Sequence, residues 1–465
     1  MRGFDALPRQ RLHAWLAIVA LAGLILRIAA ARGSLWLDEA WSAVLADHVR
    51  TPLGVFVQIN HDNNHHLNSL WLQLVGIGAP PLVARGLSVA AGTVGIYVAG
   101  VIGARRGALA GIVTALLFAL SPAMVSLGSE ARGYAPMMLM ALVALWYIDR
   151  FLDGDPDANR PATLAICFFV GTLFQLTMVF AACAVVGWLL LALWRRDGWL
   201  AAVLTTARLL GPACGSLALA LAIAFAPALV GGAEFRLGSV AAFSLSGFAG
   251  GISTLLRYTL GGPALLALAL GGAALWILRK TDPVRLPLYL LALIAFPLAV
   301  LMLRPLNAEH ARYYLLLGLV LLLALGQALP LLLTNRGGAR LLGLCATALI
   351  CGASVGLDAT LIRDARGDVG PAVAALATRA PAGTRVTVAR ESDLAPIQVA
   401  AAEARYPVQL DRNCGTARFV FAEWFAGEAP DRIAAAQCGR GLRAIASATS
   451  HGLSGQNWTL YERVG

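Results

Sequence analysis

Residues 313–333 read YYLLLGLVLLLALGQALPLLL, 21 consecutive positions without a charge. About 20 apolar residues rise ~30 Å as a helix, which is the thickness of a bilayer's hydrocarbon core. Further runs of this kind begin near Leu12, Pro81, Ala108, Tyr134, Ala162, Val179, Leu200, Gly262, Leu286 and Leu341, so eleven membrane helices are predicted. The pair within 162–194 is predicted to be short and joined by a tight turn. Of the 465 residues, 59% are hydrophobic and 13% are charged, against about 25% charged in soluble domains. A water-soluble protein is excluded, because that much apolar surface cannot be hidden from water in small cores.

The formal net charge is +11, a balance that in a soluble protein points toward nucleic acid. Here Lys280 is the only lysine among 36 basic residues, and no basic run exceeds two. Nucleic acid is therefore excluded as a partner. The basic residues fall instead in alternate loops: Arg2, Arg9 and Arg11; Arg105 and Arg106; Arg150 and Arg160; Arg195 and Arg196; Arg279, Lys280 and Arg285; Arg336 and Arg340. Short cytoplasmic loops retain Lys and Arg, which predicts a cytoplasmic N-terminus, and an odd number of spans then puts the C-terminus outside. The first apolar run, close to 20 residues, is longer than a secretory h-region of ~7–15. It is expected to stay as an anchor.

Composition changes at Asp358. Residues 358–465 hold 12 Arg against 11 Asp plus Glu and no long apolar run, dividing the chain into a membrane domain, 1–357, and a soluble exported domain, 358–465. Helical periodicity over 371–380 and 396–404 alternates with β-rich runs over 385–389, 418–421 and 458–462, which predicts a small α/β layer fold. Five cysteines lie in apolar spans, where a thiol packs as a small hydrophobe. Cys414 and Cys438 are the two in the exported domain, and an oxidising compartment favours their disulfide.

The outward loops carry the polar chemistry. The first, residues 33–80, begins with Asp38 and Glu39 directly after Trp36 and Leu37, just outside the first span. Trp41, Val44, Leu45 and Val49, then Leu67, Leu70, Trp71, Leu74 and Val75, recur at helical spacing in stretches too short to span; they predict interfacial helices roofing the acidic pair. Between them HDNNHHLN sets His61 and His65 four apart, on one face of a helix. The second outward loop, SLGSEARGYAPM, holds Glu130, Arg132 and Tyr134; later ones add Arg236, Arg257, Arg304, Glu309, His310, Arg312 and Tyr313. Glu130 and Arg132 are close enough simply to pair, and charges at helix ends often snorkel without function. Their gathering on one side favours a site. Arginine forks match phosphate oxygens, and a carboxylate within hydrogen-bond reach takes the proton of an attacking hydroxyl. The set suits displacement of a lipid-linked phosphate by an alcohol or amine.

WLDEAWS after the first span, NNHHLNSLW, SEARGYA near the fourth span and ARYYLLL entering a late span together resemble the GT-C superfamily of membrane glycosyltransferases, in the branch akin to protein O-mannosyltransferases and lipid A aminoarabinose transferases. The likeness covers residues 10–190, thins toward 335 and does not reach the exported domain as a motif. It implies a GT-C fold, a sugar donor carried on polyprenyl phosphate, and inverting transfer to a glycolipid, lipopolysaccharide, polysaccharide or protein acceptor on the periplasmic face. Carried over by motif, Asp38 would be the general base, Glu39 would orient acceptor or base, Glu130 would be a second acidic site residue, and Arg132 would stabilise the donor phosphate. Arg312 and Tyr313 would add contacts, with His61, His65, Tyr134 and Arg304 completing the substrate-binding set. Two departures stand out: HDNNHHLN replaces a proline-rich segment of many relatives, and LTMVF lacks a histidine that some carry. His61, Asp62 and His65 are residue types that bind a divalent ion, so no cofactor is certain and metal use stays open. The competing readings are a polytopic transporter or flippase for a lipid-linked glycan, which would place ionisable groups near mid-bilayer and show internal repeats, and a structural membrane subunit, which leaves the crowded first loop unexplained.

Overall fold

The computed structural model describes residues 7–59, 65–231, 241–414, 417–425 and 427–464. Among them, nine helices are long and apolar enough to cross a membrane: Arg9–Ala30, Gly86–Ala104, Tyr134–Leu152, Met178–Asp197, Trp199–Ala224, Ala264–Thr281, Leu286–Leu303, Ala311–Leu333 and Gly338–Asp364. Two shorter apolar helices, Ala108–Leu120 and Pro161–Phe174, occupy the remaining predicted positions. At 13 residues the first of these rises only ~20 Å. It stops because Pro122 drives Ser121 into an extended conformation (φ −60°, ψ 120°), after which Pro122–Leu127 resumes as a helix. Of the predicted 162–194 pair, Pro161–Phe174 is short and Met178–Asp197 is 20 residues long, with Gln175 to Thr177 as the turn between them.

Ala311–Leu333 is apolar on every face, and 89% of its span is buried inside the bundle. A helix hydrophobic all round belongs at the centre. Its Gly326 backs onto Thr114 so closely that a Cβ there would lie 2.1 Å from the Thr114 hydroxyl, and Gly103 meets the same side chain at 2.4 Å. Small residues let the three helices approach where lipid supplies no hydrophobic drive.

At the end of the bundle away from Asp38, ion pairs tie the span termini together. Arg105 holds Asp149 at 2.6 Å and Asp153 at 2.5 Å; Arg106 holds Asp282 at 2.9 Å; Arg285 Nε holds Asp149 at 2.6 Å.

On the other side, the first outward loop folds into helices Leu37–His48, Pro52–Val57 and His66–Val75. The first and third are the predicted pair, and the second, capped by the Thr51 hydroxyl on the Gly54 amide, had no apolar stripe to announce it. His65 precedes the third helix (φ −135°, ψ 49°), which corrects the expected shared helix face; His61 and Asp62 lie outside the described residues.

Gly338–Asp364 continues six residues past the composition change at 358. Ala365, Arg366 and Gly367 then take positive φ (43°, 57° and 74°), turning the chain into the C-terminal domain. Its strands are β1 (Thr384–Val388), β2 (Val408–Asp411), β3 (Phe419–Trp424), β4 (Leu442–Ala448) and β5 (Asn457–Arg463), ordered β2-β1-β3-β5-β4. β1 runs parallel to β2 and β3, whereas β5 is antiparallel to β3 and β4. Helices Gly370–Arg379 and Leu394–Glu403 pack on Phe419, Phe421 and Trp458 of one face; Pro430–Cys438 packs on Val420, Ala422 and Tyr461 of the other.

Cys414 and Cys438 are joined as a disulfide, with Cα atoms 5.1 Å apart and a sequence separation of 24. Closing that loop contributes about 3 kcal/mol in the chain-entropy account. Cys414→Ser is expected to destabilise the C-terminal domain by that order. In the denatured wild type, a thiol reagent should label these two cysteines only after reduction; labelling without reductant would remove the bond from the account.

Candidate active site

Leu37–His48 begins with its two carboxylates in the first turn, where the helix dipole favours negative charge. Successive residues of a helix are turned by about 100°, so Asp38 and Glu39 face different surroundings. Glu39 points inward and is fully buried, as is Arg85, which reaches it from the start of Gly86–Ala104. Arg85 Nε donates to Glu39 Oε1 at 3.0 Å and Nη2 to Oε2 at 2.6 Å. The Ala131 and Trp36 amides donate to the same carboxylate at 2.5 and 3.1 Å. The rest of the Arg85 fork binds the carbonyls of Ala31, Arg32, Gly33 and Ser34. Burial raises the Glu39 carboxyl, but Arg85 and the Ala131 amide outweigh it and hold it below the ordinary range. Both oxygens are taken, so Glu39 does not meet a substrate; it is a positioning residue that joins the first loop, the second span and residue 131.

Asp38 faces outward with its side chain 27% exposed. Its Oδ2 accepts from Arg312 Nη1 at 2.7 Å and is ion-paired with Arg132, whose Nη1 lies 2.5 Å away. Burial acts to raise its carboxyl, yet the two guanidiniums more than offset that and keep it below the usual carboxylate range. Arg132 donates through Nε to His65 Nε2 at 3.0 Å, and His65 Nδ1 lies 3.0 Å from the Phe174 carbonyl. A guanidinium can only donate, so Nε2 accepts from Arg132, while Nδ1 faces both the Phe174 carbonyl and the Gly133 amide, the latter at 3.2 Å. Burial, then Arg132, pushes the imidazole well below its ordinary value, leaving it neutral. Both ring nitrogens are thus engaged within the protein. Tyr134 packs edge-on to His65 with ring centroids 4.9 Å apart, and the Arg312 guanidinium lies 5.3 Å from the Trp36 ring centre.

Four residues of the first loop, the second loop and the late span therefore meet: Asp38, His65, Arg132 and Arg312. Glu130 lies behind them, fully buried, with Oε1 accepting from the Ser126 hydroxyl at 3.2 Å and Oε2 unpartnered. Burial pushes its carboxyl up. It does not pair with Arg132. Tyr313 lines a small apolar pocket of about 10 Å³ with Met137, Thr177, Phe180 and Leu316. Arg304 is exposed just past Leu286–Leu303, in a left-handed conformation (φ 47°), and none of the cluster's bonds involves it. The sequence reading passed over Arg85, because an arginine at a span end looks the same whether it snorkels or is clamped inside. Among the described residues, no group of three His, Cys, Asp or Glu is placed to hold a metal.

The chain superposes on ArnT from Cupriavidus metallidurans in the apo state, over 96% of its own length and 98% of that chain, with TM-score 0.55 and 15% identity. This chain has the GT-C fold. A second ArnT structure, bound to undecaprenyl phosphate, matches over the same shares at TM-score 0.54 and 14% identity. The GT-C likeness extends to the Archaeoglobus fulgidus oligosaccharyltransferase tethered to an acceptor peptide, over 86% of this chain and 64% of that one, with TM-score 0.52 and 13% identity. No protein-family profile matches the sequence. No curated protein matches it either.

Proposed function

We propose that the protein is an inverting glycosyltransferase of the bacterial inner membrane, moving a sugar from a polyprenyl-phosphate donor to a glycan, lipid or protein acceptor on the periplasmic face, with its N-terminus cytoplasmic. The observation that carries this reading is Asp38 shared between Arg132 and Arg312 just beyond the end of the first span. In the proposed step the acceptor hydroxyl or amine attacks the anomeric carbon, its proton passes to Asp38, and the bond to the phosphate oxygen breaks with its electron pair leaving on the phosphate. Arg132 and Arg312 neutralise that charge.

The resting geometry also supplies a switch. An aspartate held low by two guanidiniums is a poor base. A donor phosphate drawing Arg132 and Arg312 to itself removes those partners and adds a like charge nearby, so Asp38 gains basicity when substrate is present. ArnT has been crystallised with undecaprenyl phosphate and the oligosaccharyltransferase with a tethered acceptor peptide, which supports a lipid phosphate on one side of the reaction and an acceptor on the other. Against a transporter stands the ion-paired far end of the bundle, whose five span termini would have to part for alternating access.

Arg132→Ala tests the phosphate role. It is expected to weaken undecaprenyl phosphate binding by roughly tenfold or more, the scale of one charge-assisted bond, while changing acceptor KM little. Equal losses on donor and acceptor would count against that role. Mass spectrometry of envelope glycans from wild-type and deletion strains would then name the sugar.

A further inference from the structure

The segment that leads from the first span to Asp38 is held from two sides. Arg85, in the membrane domain, takes its carbonyls, those of Ala31 to Ser34. Two of its amides are taken by the C-terminal domain. The Asp368 carboxylate accepts from the Ser34 amide at 2.8 Å, and Gln456 Oε1 accepts from the Leu37 amide at 2.8 Å. One turn past Asp38, Trp41 Nε1 donates to the Ser392 carbonyl at 3.1 Å. The stretch that carries the proposed base is therefore bonded to the C-terminal domain both before and after that base.

Of these contacts, the one from Gln456 lies nearest the base in sequence. Leu37 is the first residue of its helix, and the amides of a helix's first turn find no acceptor within the helix. A group that accepts from the Leu37 amide fixes the position and rotation of that turn, and Asp38 is the next residue. Gln456 is itself firmly placed. It is 4% exposed and directly precedes β5, which is paired on both sides, with β3 and with β4. Its backbone amide donates to the Arg366 carbonyl at 3.1 Å. Gly367 packs so closely on it that a Cβ there would lie 1.9 Å from the Gln456 carbonyl oxygen. Arg366 is fully buried and binds the Ala30 carbonyl, the Ser126 carbonyl at 2.9 Å and the Ser129 hydroxyl at 2.6 Å. The start of β5 is thus tied to the end of the first span and to the loop that carries Arg132. Gln456 Nε2 has no partner, so the accepting oxygen is the part of the side-chain amide in use.

We propose that Gln456 is a positioning residue for Asp38, through which the C-terminal domain sets the first turn of Leu37–His48 and so the place of the base. This rests on the transferase reading and adds to it a residue outside the membrane domain on which the rate depends. Gln456 acts through the backbone of Leu37 and meets neither substrate. A reacting group displaced by about 1 Å by a change elsewhere loses up to about 10²-fold in rate.

Gln456→Met keeps the length of the side chain and removes the acceptor. Full-length protein in nanodiscs would be given the lipid extract of a deletion strain as donor and the envelopes of that strain as acceptor. The maximal rate of transfer is expected to fall about ten- to hundredfold, with undecaprenyl phosphate binding and the acceptor KM within about twofold of wild type. Gln456→Glu, which keeps an accepting oxygen, is expected to recover the rate to within about threefold. The double variant separates positioning from general support of the fold. If Gln456 acts through Asp38, its loss costs nothing more once the base is gone, so Asp38→Asn combined with Gln456→Met should be within about twofold of Asp38→Asn alone. A methionine variant as fast as wild type, a loss that glutamate does not recover, or a further tenfold or so lost in the double variant overturns the assignment. Wild-type protein that transfers no sugar from the extract would instead remove the transferase reading itself.

Discussion

Asp38→Asn is expected to lower sugar transfer by about 10²–10⁴-fold, the usual contribution of a positioned general base, while the protein still inserts and binds undecaprenyl phosphate at least as tightly as wild type. The second half of that expectation separates base from scaffold. In the resting protein the Asp38 carboxylate competes with an incoming phosphate for Arg132 and Arg312. Asparagine keeps the side chain's size and removes the charge, so both guanidiniums become available to phosphate. The two readings are kcat/KM for transfer and the dissociation constant for undecaprenyl phosphate, which Trp36, lying against Arg312, should report by fluorescence. Normal transfer by the variant would sink the assignment of the base. Weaker lipid-phosphate binding would instead mean that Asp38 is needed to hold the arginines in place.

Glu39→Ala should behave in the opposite way, failing in stability before it fails in chemistry. Removing one partner of a fully buried pair leaves the other charge unpaired in a low-dielectric interior, at a cost of about 3–5 kcal/mol. Arg85→Ala should cost at least as much, because Arg85 also satisfies the carbonyls of Ala31 to Ser34, which no other side chain reaches among the bonds of this turn. Thermal unfolding of the detergent-solubilised protein, followed by size exclusion, checks both. A Glu39→Ala protein of wild-type stability but without transfer activity would return Glu39 to the reacting set.

The contrast between these neighbouring carboxylates marks where the sequence stopped being informative. The spans were legible because bilayer thickness sets a length that any helix must meet, and all eleven predicted positions hold a helix. The placement of Asp38 after the first span and of Arg132 and Tyr134 at a later boundary followed from the same arithmetic. Which of Asp38 and Glu39 turns outward depends on the phase of a helix that begins at Leu37, and that phase is fixed by partners 46 and 92 positions away, Arg85 and Ala131. In the C-terminal domain β1, β3 and β5 were predicted, whereas β2 and β4 were not. Those two are the edges of the sheet; β2 is only four residues long, and three of the seven residues of β4 are alanine, which has little preference for strands.

Arg105, Arg106 and Arg285, held against Asp149, Asp153 and Asp282, bring three positive and three negative charges to one end of the bundle. A transmembrane voltage does work of about 2.3 kcal/mol per 100 mV on each net charge that crosses. A cluster that sums to zero gives that voltage no handle. The ion-paired end is thereby expected to hold alike in energised and de-energised membranes.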